Sequence, residues 1–138
     1  MSDGWDWREL SPLALAFIGD AVWEIWVRNH VLRQGVRRPD MLHKRSSRYV
    51  RATAQAQIVQ HMFDSLTAEE QGMVKRGRNA KPAHTRKNTD VLDYRHSTGF
   101  ETLIGYLYGS EQTERLEEVC RAALTIIDRE EENRSNGR

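Results

Sequence analysis

Two carboxylates stand where a charge is out of place. Asp20 interrupts the apolar run Leu13-Ala14-Leu15-Ala16-Phe17-Ile18-Gly19, and Glu101 sits beside the apolar set Phe100, Leu103, Ile104 and Leu107. Burying an unpaired charge is costly, so acids kept in such company have work to do. A hard divalent cation is held by oxygen ligands, commonly one or two protein carboxylates with several retained waters. Two acids from different helices are therefore enough to seat one. Gly19 beside Asp20, with Thr98 and Gly105 beside Glu101, predicts room for a hydrated ion or a phosphate to approach. Glu24 and Arg28 follow Asp20 at i+4 and i+8, so the three form one narrow polar stripe. Glu24 can add a ligand or an outer contact to the ion, although an ion pair with Arg28 is favoured. The same stripe is also what the solvated edge of an ordinary helix looks like. Spacing alone does not choose between the two.

The elements that must carry these acids can be read from caps and periodicity. Ser11-Pro12 is an N-cap followed by proline at the first helical position, and Gly35 is a C-terminal stop, so a broad apolar helix runs from Pro12 to about Gln34. Trp23 and Trp26 on it serve the core or a partner contact, with the core favoured for at least one. Pro39 reopens helix, which continues to about Met62 with a break expected near Ser46-Ser47. Thr67-Ala68-Glu69-Glu70 has the capping-box pattern and starts a helix toward Asn79. Residues 81–94 lack periodicity and read as a polar, basic loop of the length that carries function. Helix resumes from Ser97 to Tyr108, with apolar residues at 100, 103, 104, 107 and 108, and ends at Gly109. A last helix from about Gln112 buries Leu116, Val119, Cys120, Ala123, Leu124 and Ile127, before an acidic, frayed tail from about residue 130. The fold class is all-α: a bundle or orthogonal array of five to seven helices in one domain spanning 1–138.

Composition narrows the partner. With 38% hydrophobic and 30% charged residues, and no apolar run near the roughly 20 residues that span a bilayer, the chain reads as a water-borne globular domain. Its amino terminus lacks the features of a secretory signal, so a cytoplasmic location is expected. Cys120, the single cysteine, reads as a small buried hydrophobe, and the five histidines have no zinc spacing. The formal charge of +1 conceals segregation. Residues 28–51 hold eight Arg or Lys against Asp40 alone, and residues 75–96 hold seven against Asp90 and Asp93. Residues 111–132 reverse the balance, with eight acids against three arginines. Exposed faces are often charged for solubility, but two basic blocks together point to a polyanion.

Leu15-Ala16-Phe17-Ile18-Gly19-Asp20-Ala21-Val22 resembles the Gly-Asp-Ala helix of the ribonuclease III nuclease domain, and Phe100-Glu101-Thr102-Leu103-Ile104-Gly105 resembles its second metal-site helix. Order and separation match as well. Over nearly the whole chain the sequence is similar to the Mini-III branch, which lacks a double-stranded-RNA-binding domain. Arg76-Gly77-Arg78-Asn79-Ala80-Lys81 and Tyr94-Arg95-His96-Ser97-Thr98-Gly99 are the supporting pieces. The resemblance implies a magnesium-dependent endoribonuclease (manganese substituting) that cuts double-stranded RNA to 5′-phosphate and 3′-hydroxyl ends. Asp20 and Glu101 become its catalytic metal ligands, with Glu24 and Thr98 as outer contacts. It further implies a homodimer, since one site cuts one strand, and a role in maturing large-subunit ribosomal RNA assisted by a ribosomal protein. Duplex RNA is met through phosphates and 2′-hydroxyls, for which Arg78, Lys81, Arg86, Lys87 and Arg95 are the expected contacts. The longer family enzymes carry a glutamate four residues before the aspartate and an aspartate three before the glutamate. This chain has Ala16 and Thr98 there, so its acidic cluster is halved.

Two other readings compete. A non-catalytic double-stranded-RNA-binding module keeps the same fold and basic surface without the chemistry. An all-helical nucleoside-triphosphate pyrophosphohydrolase would use Glu114, Glu117 and Glu118, but these lie on a helix whose other face is core, and the basic blocks would then lack a purpose.

Overall fold

The computed structural model describes residues 4–80 and 90–136. Six α-helices follow one another among these residues, with no strand: α1 (Pro12–Arg33), α2 (Pro39–Val50), α3 (Ala52–Met62), α4 (Ala68–Asn79), α5 (Val91–Gly109) and α6 (Thr113–Asn136). Short 3₁₀ turns precede α1 and follow α3. No described helix is long and apolar enough to cross a membrane.

Local chemistry sets most boundaries. The Ser11 hydroxyl accepts from Ala14 N–H and Pro12 fills the first helical position, as the sequence predicts. Gly35 follows the end of α1 at φ +91°, a left-handed turn that a side chain would strain. Thr67 and Glu70 form the expected reciprocal capping box. The break in the second helical stretch falls at Arg51 rather than near Ser46-Ser47: Arg51 is extended (ψ 153°) while both serines stay inside α2. Ser47 returns its hydroxyl to the Lys44 carbonyl within the helix, so it does not act as a cap.

Two ends depart further from expectation. Helix α5 starts at Val91, six residues before the predicted Ser97, because the Asp90 carboxylate caps it by accepting from the backbone N–H groups of Leu92 and Asp93. The rest of the expected loop, residues 81–89, lies outside the described residues. Helix α6 continues through Asn136, where a frayed tail from about 130 was the expectation. Its end is tied down by Asp128, which binds His30 Nε2 (2.8 Å) and the Tyr49 hydroxyl (2.6 Å), and by Glu131 facing Arg48 at 3.8 Å.

Helix α5 is the hub, buried almost continuously from Ser97 to Leu107 and packed by α1, α3 and α4. Trp23 of α1, fully buried, meets Phe100 edge-on at 5.0 Å and donates its indole N–H to the Tyr49 carbonyl (3.0 Å), joining α1, α2 and α5. Trp26 is only partly buried, under Arg121. Glu70 and Arg115 form a two-point ion pair, both contacts 2.8 Å, between α4 and α6. Arg115 holds the Glu70 carboxyl below its usual range. Cys120 is buried as expected, and desolvation pushes its thiol up to about 12, so it stays an inert thiol. Against α2, by contrast, α1 leaves a cleft of about 450 Å³ edged by Glu24, Arg28, Leu32, Leu42, His43 and Ser47.

Candidate active site

The crossing of α1 on α5 positions the two acids. At Gly19 there is no room for a side chain, because a Cβ would run into the carbonyl oxygen of Glu101. At Gly105 a Cβ would run into the carbonyl of Leu15. Backbone therefore meets backbone at both glycines, which close packing of two helices requires. The sequence expectation that these small residues leave space for an ion is corrected: the opposing helix fills that space. What the contact does instead is fix register. With Gly19 seated on the Glu101 backbone, Asp20 is the next residue along, so the two stretches of backbone that carry the acids meet at this crossing. Asp20 is exposed and Glu101 half-buried, so both can meet a hydrated ligand.

The positions one turn before each acid add no carboxylate. Ala16, one turn before Asp20, is buried, and Thr98, one turn before Glu101, is buried with its hydroxyl donated to the Tyr94 carbonyl (3.0 Å). Thr98 thus spends its hydrogen on its own helix. Glu24 accepts from Arg28 Nε at 3.0 Å, the ion pair favoured from the sequence. Among the described residues no group of three or more His, Cys, Asp or Glu converges as a metal cage. A two-carboxylate donor set suits a hard cation that keeps most of its water, and does not suit zinc, which takes three or four direct nitrogen, sulfur or oxygen ligands.

The two basic segments fare differently. In residues 28–51, Arg28, Arg38 and Arg48 face Glu24, Asp40 and Glu131, while Arg37 and Arg45 bind backbone or amide oxygens. In residues 75–96, Arg78 is half-buried on the last turn of α4 and Arg95 is exposed on α5, and neither makes an ion pair with another described residue. Lys81, Arg86 and Lys87, also expected at the RNA surface, lie outside the described residues. Sequence reasoning missed the network in which Asp128 joins His30 to Tyr49, with Gln34 bonded to both of these. Burial and Asp128 push the Tyr49 phenol up to about 12. Its members are 79 to 98 residues from Asp128, so no local pattern announces it.

Comparison with known proteins identifies the family. The ribonuclease III domain family matches residues 13–112, which include both acids and the helices that carry them. A Mini-ribonuclease 3 from Symbiobacterium thermophilum is 50% identical over 120 residues, covering 87% of this chain and 92% of that protein. Another from Brevibacillus brevis is 48% identical over 120 residues, covering 87% and 90%. A crystal structure of a Fusobacterium nucleatum protein, 30% identical, superposes with a TM-score of 0.76 over 86% of this chain and 94% of that one. With both acids on adjoining backbones inside the matched region, the chain belongs to the ribonuclease III family and, within it, to the Mini-ribonuclease 3 branch.

Proposed function

We propose that Asp20 and Glu101 jointly seat a magnesium ion, or manganese in its place, with which this double-stranded-RNA endoribonuclease hydrolyses phosphodiester bonds to 5′-phosphate and 3′-hydroxyl ends. The observation that supports the reading is the backbone contact of Gly19 with Glu101, which joins the two acid-bearing helices at these residues, with Asp20 exposed and Glu101 partly so. When bound, the cation supplies charge neutralisation at the scissile phosphate and makes water a better nucleophile near neutral pH. The chain's own part is to hold two negative oxygen donors in fixed register. Glu24, paired with Arg28, and Thr98, bonded to Tyr94, act only as outer supports.

Arg78 and Arg95, with Lys81, Arg86 and Lys87 from the same basic segment, hold the duplex through its phosphates, so binding weakens steeply with salt. Two strands need two sites. Phe17 is 82% exposed, Ile25 61% and Leu32 43%, all on one side of α1, and such an apolar strip on a small protein calls for a cover. A second copy related by a two-fold axis covers it and brings a second acid pair to the same duplex. Precursor large-subunit ribosomal RNA is the natural duplex for this branch, with a ribosomal protein as helper and the cytoplasm as the compartment.

The decisive experiment incubates wild type and Asp20→Asn with a long RNA duplex, with and without magnesium, and analyses the ends. Wild type gives 5′-phosphate products only with metal. Asp20→Asn, which removes a charged ligand but little volume from an exposed position, loses on the order of 100-fold or more in rate while still folding and retarding the duplex on a gel. Wild-type turnover by that variant refutes the site. Retardation without cleavage by the wild type leaves a non-catalytic RNA-binding module.

A further inference from the structure

The early start of α5 gives residues 91–96 a fixed helical phase relative to Glu101. Tyr94 precedes Glu101 by seven residues, two turns, so it stands on the same face about 10 Å nearer the helix N-terminus. That is the acid side of the α1 crossing. Ile18 lies against Gly105, toward the C-terminal half of α5. Asp20, about 200° around α1 from Ile18, occupies the opposite flank of that helix. On the same face between Tyr94 and Glu101, Ser97 and Thr98 both donate to the Tyr94 carbonyl, at 2.7 and 3.0 Å. The backbone beneath Tyr94 is thereby braced. Tyr94 is half-buried, and its hydroxyl makes no hydrogen bond to another described residue.

An anchored ring with an open phenol, one to two nucleotides from the acid pair, suits a particular group on RNA. Phosphates are better served by arginine, which brings charge. A ribose 2′-hydroxyl both donates and accepts, as a phenol does, and it is the group that distinguishes RNA from DNA. Building on the nuclease reading above, we propose that the Tyr94 hydroxyl hydrogen-bonds a 2′-hydroxyl of the bound strand near the scissile phosphate and so helps select RNA.

The test couples a protein change to a substrate change. Duplexes carrying a single 2′-deoxy nucleotide are scanned through the positions flanking the cleavage site, against wild type and Tyr94→Phe, which keeps the ring. One neutral hydrogen bond corresponds to a loss of about three- to tenfold in kcat/KM. Wild type should lose this at one position. Tyr94→Phe should lose the same factor on all-ribose duplex, with an unchanged melting temperature, and be indifferent to the deoxy substitution at that position. Full activity of Tyr94→Phe on all-ribose duplex, or an undiminished deoxy penalty at every position, overturns the proposal. Repeating the scan by affinity in the Asp20→Asn background separates the two ideas. Coupling there with no cleavage by wild type would retain the 2′-hydroxyl contact while the nuclease reading fails, whereas cleavage without coupling does the reverse.

Discussion

Helix α1 has two apolar faces, and they end differently. The inward face, carrying Leu15, Gly19, Trp23, Val27 and Val31, is closed by the chain itself. The outward one, carrying Phe17, Ile25 and Leu32, is left exposed by the described residues. Both are comparably hydrophobic in sequence, which is why periodicity alone reads α1 as simply central. Between them runs the stripe Asp20, Glu24, Arg28. An acid placed there is rigid because one neighbouring face is locked, and accessible because the other is open. A nuclease that must hold a ligand in register yet admit a duplex needs both conditions at one residue.

That contrast can be broken by substitution, most severely on the inward side. Gly19→Val forces two backbones apart, and a loss of more than about 3 kcal/mol, seen in denaturant unfolding, should accompany loss of cleavage. An unchanged midpoint would mean that the crossing is not tight. Trp23→Phe keeps a ring but strands the Tyr49 carbonyl and opens a void, so roughly 2 kcal/mol is expected by the same measurement. On the outward side, Phe17→Glu should leave the monomer's fold intact, within about 0.5 kcal/mol, and shift sedimentation from dimer to monomer. A persistent dimer would assign the interface to another surface. Smallest of all, Glu24→Gln breaks only an i,i+4 pair at the surface, with about 0.5 kcal/mol or less at stake and cleavage nearly unchanged. A large loss of cleavage would promote Glu24 to a ligand.

The caps were the most legible part of the sequence: Ser11-Pro12 and the Thr67–Glu70 box are local signals, and each sets the boundary it predicts, whereas Gly109 is the last helical residue of α5 and the left-handed turn after it falls at Glu111 (φ 59°). Asp90 was misread because an aspartate in a polar stretch suits a loop and an N-cap equally; only the two N–H groups it accepts from distinguish them. The two acids were singled out through resemblance, but the role of the neighbouring glycines was not. A glycine beside an acid looks like space in one dimension, and only the approach of a second helix shows the space taken. The tethering of α6 through Asp128 was hidden for the same reason, since its partners lie on α1 and α2.

The burial of Ala16 and Thr98 has a consequence for how the protein matures. Four carboxylates crowded at one crossing would repel one another until a cation arrived, tying folding to metal supply. Two, one of them facing solvent, carry little such self-repulsion. The polypeptide can therefore assemble first and acquire its ion afterwards, gaining from it only the mass-action increment that any reversible ligand gives. Chelation should then silence the enzyme without melting it.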